Sequence, residues 1–184
     1  MSALLRLSLR DFRSYADLDL AALGPIVALT GENGAGKTNV LEAISLLAPG
    51  RGLRRAEFTD MARAGAGGGF AMSIVLSDET QIGLGLSDPD ETGRRARIQR
   101  INGAPSPTLA AASDHARVVW LTPEQDGLFR GSAGERRRFL DRLVLAIDAS
   151  HAGRVAALER ALRDRKRILE ERAQEGDWHE ADEK

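Results

Sequence analysis

The chain has 184 residues, 42% hydrophobic and 29% charged, which is enough to bury a core and excludes a disordered tail. Its 26 basic and 27 acidic residues give a formal charge of -1, so a uniformly basic coat for nucleic acid is excluded while a local basic patch is not. The absence of Cys excludes a disulfide framework, a thiolate metal site and a Cys nucleophile.

The first thirty residues read as strands. Leu5, Leu7 and Leu9 alternate with Arg6, Ser8 and Arg10, and a second short alternation follows at Leu18 and Leu20. Gly24-Pro25 breaks the chain. Ile26-Val27-Ala28-Leu29-Thr30 is then an apolar run that suits a strand covered on both faces, as in a parallel sheet. The glycines from Gly31 to Gly36 predict a loop. Beyond it Val40, Leu41, Ile44 and Leu47 recur at helical spacing, until Pro49-Gly50 stops the helix.

The middle of the chain is less regular. A glycine-rich loop spans 62–71, and strand-like stretches follow at 70–76, 81–86 and 95–101, with Asn102-Gly103 as a turn. Val118-Val119-Trp120-Leu121 reads as another buried strand, stopped by Pro123, and 136–147 as a helix. From about Ser150 a long polar helix begins. Val155, Leu162 and Leu169 repeat every seven residues with Leu158 between, which predicts the start of a helical arm. Residues 173–184 are polar and expected to fray. The resulting division is a lobe at 1–149 and an incomplete arm at 150–184. No run approaches the length of a membrane span and the N-terminus lacks a signal peptide's apolar centre, so the expected location is the cytoplasm, away from membranes.

The chemistry concentrates in Gly31-Glu32-Asn33-Gly34-Ala35-Gly36-Lys37-Thr38, which fits the phosphate-loop pattern G-x-x-x-x-G-K-[ST]. Glycines let backbone N–H groups close around phosphate oxygens without Cβ clashes. Lys37 brings a point charge to the β and γ phosphates, and the Thr38 hydroxyl can ligate Mg²⁺. The helix beginning near Lys37 adds its positive end. Four fixed positions arise by chance in a chain of this composition with roughly 0.3% probability, so nucleotide binding is the leading expectation.

Phe12-Arg13-Ser14-Tyr15, followed by the run from Leu29 through the phosphate loop to Asn39-Val40-Leu41-Glu42-Ala43-Ile44, resembles the ATPase heads of the SMC-like branch of the ABC superfamily. Within that branch the chain is similar to the RecF family of bacterial replication and repair proteins. Arg51-Gly52-Leu53-Arg54 resembles that family's short arginine loop, and Thr122-Pro123-Glu124-Gln125-Asp126 its Q-loop region. Gly131 and Arg137-Arg138-Phe139-Leu140-Asp141 follow in the same order, and 161–169 is similar to the start of its helical arm.

The resemblance implies an α/β fold, an ABC-type ATPase head lobe with a mixed sheet and flanking helices. It implies that Gly31, Glu32, Asn33, Gly34, Ala35, Gly36, Lys37, Thr38 and Asn39 hold ATP and that Arg13 approaches it. Thr38 and either Gln125 or Glu124 would serve Mg²⁺. Arg54, Arg130, Arg136, Arg137 and Arg138 are candidates for contacts with DNA phosphates, a backbone mode that salt would weaken. Expected partners are DNA at single-strand gaps, recombination mediator proteins and a second copy of the complete protein. No Walker B strand, Leu-Ser-x-Gly-Gln signature or switch histidine is present, so the chain is expected to be an N-terminal half that does not hydrolyse ATP alone. The ATPase subunit of an ABC transporter is the alternative.

Overall fold

A computed structural model describes residues 2–48, 51–106, 109–148 and 150–174. It falls into two compact units, Met1–Ala149 and Ser150–Lys184. The first is built on a six-stranded sheet in the order β2-β1-β3-β4-β5-β6, antiparallel throughout. Its strands are β1 (Leu4–Phe12), β2 (Tyr15–Leu20), β3 (Phe70–Leu76), β4 (Gln81–Leu86), β5 (Arg97–Ile101) and β6 (Ala104–Pro105).

The period-2 alternation decides which face is buried. In register, Leu7 lies beside Ile74 and Ile74 beside Ile82, while Leu9, Met72 and Leu84 form the next row. All six are buried. The intervening Ser8, Ser73 and Gly83 form a row on the opposite face. Helix α1 (Lys37–Ser45) supplies Val40 and Ala43 to the same core, joined by Leu46 and Leu47 just beyond it. Phe12, Phe58 and Phe70 close one end of this core, the first and last ring edge-to-face at 5.3 Å.

Asn102 and Gly103 do form the turn into β6, with φ of 51° and 80°, a pair of left-handed conformations that Asn and Gly tolerate best. The stop expected at Pro49-Gly50 lies outside the described residues. Helix α2 (Ala133–Leu145) begins three residues earlier than its apolar pattern predicts, because Ser132 and Glu135 make a capping box. The second unit holds α3 (His151–Gln174), whose heptad leucines Leu158, Leu162 and Leu169 are exposed. Of the stretch 173–184 expected to fray, 173–174 are helical in α3 and 175–184 lies outside the described residues.

Two expected strands are absent. Residues 26–30 and 118–121 carry no strand pairing, and the described sheet contains no parallel pair. Ile26 is 91% exposed and Leu121 74%. The reason is that an apolar run becomes a strand only where a neighbour completes its N–H and C=O bonds. Among the described residues no segment pairs with either run. No helix among the described residues is long and apolar enough to cross a membrane.

Candidate functional site

The loop between residue 30 and α1 owes its shape to its glycines. Gly31, Gly34 and Gly36 have φ of 139°, 87° and 96°, a region that side-chain-bearing residues avoid. Gly36 is the most constrained. A Cβ there would stand 2.6 Å from the Tyr15 hydroxyl and 2.9 Å from Ser14 Oγ, so the β1–β2 turn can pack on the loop only because position 36 has no side chain.

Lys37 curls back over the loop. Its Nζ donates to the carbonyls of Gly31 and Glu32, both at 2.7 Å. The ammonium is thus held against the loop by uncharged acceptors, which a phosphate oxygen would outcompete. Helix α1 has no side-chain cap and no acidic residue in its first turn, so its positive end remains available to an anion, although the Asn39 N–H already donates to the Gly36 carbonyl at 2.8 Å. Thr38, on that first turn, is exposed. The donor set therefore fits a polyphosphate and its Mg²⁺: backbone N–H groups, one ammonium and one hydroxyl. No group of three or more His, Cys, Asp or Glu suited to a metal occurs among the described residues.

One turn further along α1, an ion network ties the helix to its surroundings. Glu42 is fully buried. Arg13 grips it with two hydrogen bonds, Nε to Oε2 at 2.9 Å and Nη2 to Oε1 at 2.6 Å. The remaining Nη1 of Arg13 donates to the Asp60 carbonyl at 2.6 Å. Arg54 reaches the same carboxylate through Nη1 at 2.8 Å, and that nitrogen also donates to Asn39 Oδ1 at 2.8 Å. Asn39 in turn donates from Nδ2 to Ser14 Oγ at 2.8 Å. A carboxylate removed from water needs such compensation, and two guanidiniums provide it.

The structure therefore brings Arg13, Asn39 and Arg54 together around the first two turns of α1, with Glu42 at their centre. The Arg13 guanidinium is hydrogen-bonded to Glu42 and Asp60. Arg54 belongs to this network as well. The other candidates lie apart from it. The Gln125 side chain accepts from the Thr122 N–H at 2.9 Å and caps its own turn. The Glu124 side chain lies outside the described residues. Arg136 donates to the Gly131 carbonyl at 2.7 Å, and Arg130, Arg137 and Arg138 are exposed. Sequence reasoning missed Glu42 as the hub. The available signal was a lone acid in a helix whose apolar positions make it a core helix, four residues after Thr38 and on the same face.

A family model described as an AAA domain matches residues 6–101. The DNA replication and repair protein RecF of Rhizobium etli (strain CIAT 652) is 50% identical over 179 residues, 96% of this chain and 47% of the relative. The chain thus spans about half the length of such curated relatives and corresponds to their N-terminal half. A solved structure of the recombination mediator protein RecF-ATPrS in the RecFOR pathway superposes with a TM-score of 0.78 at 22% identity, covering 96% of this chain and 47% of that one. A second structure, from work on ATP-driven dimerization and DNA-stimulated activation of SMC ATPases, gives 0.56 at 22% identity, covering 76% and 98%. At such identities the likeness establishes the fold alone, the α/β architecture that those RecF and SMC structures share.

Proposed function

The chain belongs to the AAA domain family, and from that premise we propose that it is the ATP-binding N-terminal half of a RecF-type protein that acts on DNA in replication and recombinational repair. The phosphate loop carries this reading, with its three left-handed glycines, the curled Lys37 and the uncapped start of α1. The replication and repair role of the relatives supports DNA over transport as the setting.

In this reading the N–H groups of the loop and the first turn of α1 hold the phosphates. Lys37, now on the carbonyls of Gly31 and Glu32, would hold the β and γ phosphates, and the Thr38 hydroxyl would hold Mg²⁺, which would supply charge neutralisation. Asn39 and the Arg13–Glu42–Arg54 network hold α1 in place beneath the nucleotide. DNA contact through exposed arginines and nucleotide-dependent pairing of two complete proteins extend the proposal. The unpaired runs at 26–30 and 118–121 fit a head whose remaining strands come from the other half of the RecF-type protein.

The test is a titration of the chain with fluorescent ATP and Mg²⁺ beside Lys37→Ala. Saturable binding that drops at least tenfold in the variant is expected. A folded chain, by circular dichroism, whose weak binding is the same with and without Lys37 would overturn the reading.

A further inference from the structure

Arg6, Arg13, Arg51, Arg54 and Arg63 each meet an Asp or Glu carboxylate at 2.6 to 2.8 Å. Arg95 and Arg97 do not, although a carboxylate stands beside them. With Glu57, Phe58, Thr59 and Leu86 they line a cavity of about 360 Å³ between the turn Phe58–Met61 and the β4–β5 hairpin. Glu57 is engaged by Arg51 at 2.7 Å instead. Neither Arg95 nor Arg97 makes a hydrogen bond or ion pair among the described residues, and both are exposed.

The surrounding fold holds these two cations in place. Arg97 lies over the ring of Phe58, 4.5 Å from its centroid, and that ring is itself buried and 5.6 Å from the Phe70 ring. Arg95 crosses the glycine-rich loop at 62–71. A Cβ at Gly68 would collide with its guanidinium, so a glycine there makes room for the arginine. Asp88, on the same hairpin connection, accepts from the Gly69 N–H at 3.0 Å and pairs with neither arginine. Leu86 is laddered to Phe70 on one side and to Arg97 on the other, so no strand is missing from this wall.

Two guanidiniums in one concavity carry two charges, which a phosphate group balances better than a single carboxylate does. The Thr59 hydroxyl, exposed and without a hydrogen bond among the described residues, adds a neutral donor at the same rim. Arg97 already covers a face of Phe58, which leaves that face closed to a stacked base and favours contact with phosphate oxygens. The volume lies within the range of sites that hold small ligands.

We propose that Arg95, Arg97 and Thr59 form a second phosphate-binding site, outside the phosphate loop, on the hairpin end of the sheet. A nucleic-acid backbone and a free phosphorylated molecule both present the chemistry that fits it. The site goes beyond the nucleotide reading and does not depend on it.

The test uses the full chain carrying Lys37→Ala, so that the phosphate loop contributes little, with Arg95→Gln and Arg97→Gln each added in turn. Inorganic pyrophosphate is titrated by calorimetry and a short labelled duplex by anisotropy, both at several salt concentrations. Saturable binding of at least one probe is expected, weakened about fivefold or more by each substitution. For the duplex, each should also lower the slope of log K against log salt by about 0.9. Arg97→Lys keeps the charge without the planar fork and should fall between parent and Arg97→Gln. Arg95 is exposed and stacks on no ring, so its variant keeps the test valid if Arg97→Gln disturbs the packing on Phe58. Weakening confined to the duplex assigns the site to a nucleic-acid backbone, and weakening confined to pyrophosphate assigns it to a free phosphorylated ligand. Binding of neither probe, or affinities unchanged in both variants, would overturn the site. The ATP titration of the chain with Lys37 intact reports on the nucleotide reading separately.

Discussion

Strands β1, β3 and β4 and the runs at 26–30 and 118–121 are similar in side-chain chemistry, yet in the runs Leu29 and Val118 are only partly buried against the core and their neighbours Ile26 and Leu121 not at all. Leu7, Ile74 and Ile82 are fully buried in a laddered sheet, whereas Ile26 and Leu121 stand in solvent at 91% and 74% exposure. Hydrophobicity is therefore not what separates them. The first group has hairpin-connected or directly adjacent partners within the described chain, while the second has no backbone neighbour to complete its ladder. Apolar content says that a segment prefers burial, and pairing decides whether this chain can provide it.

Core substitutions should test that contrast most strongly. Phe12→Ala removes a fully buried ring that packs edge-to-face on Phe70, and should cost about 3–5 kcal/mol in denaturant unfolding. Ile26→Ala, in the unpaired run, should change the same midpoint by less than about 0.5 kcal/mol. Comparable losses at both positions would mean that Ile26 is packed in solution.

Glu42→Gln should come next. It leaves two guanidiniums without their buried carboxylate, at a cost of about 3 kcal/mol or more. Removing Arg13 as well, by Glu42→Met with Arg13→Met, should restore part of that loss in a thermal melt. If the two single losses simply add, the network is not acting as a unit.

Gly36→Ala sits at the boundary between fold and site. The new Cβ meets Tyr15 and Ser14 at a φ of 96°, so a loss of about 1–3 kcal/mol is expected together with weaker nucleotide binding. Wild-type binding in this variant would show that the loop shape does not depend on the missing side chain.

The smallest effect is at the sheet edge. Arg6 donates twice to Asp19 across the β1–β2 pair, and these bonds, with one from Ser8, lower the Asp19 pKa from 3.8 to about 2. A depressed folded pKa means the contribution is present above 3.8 and is lost as pH falls through about 2. Solvent screening keeps it small. Asp19→Asn should therefore be slightly less stable than the parent at pH 6, and the gap should narrow toward pH 2.

Much of the antiparallel lobe was legible from local signals. Alternation at Leu7 and Leu9 located β1, although a register shift between Leu4 and Arg6 leaves Leu5 40% exposed rather than on their buried face, and the glycines with Lys37 and Thr38 located the phosphate loop, because backbone geometry requires those residue types there. The functional surroundings were less legible. Arg13 and Arg54 both meet at Glu42, which is 29 and 12 residues from them in sequence, a meeting that the roles implied by the resemblance did not include. Sequence spacing carries no information about such a meeting.

The sequence by itself determined the buried faces of the paired strands and the phosphate loop, since each depends on residues within a few positions of one another. Only the tertiary structure decided that Glu42 gathers Arg13 and Arg54 and that two strand-like runs stay unpaired. Those outcomes depend on which distant groups satisfy a charge or a backbone ladder, and that is settled when the chain closes on itself.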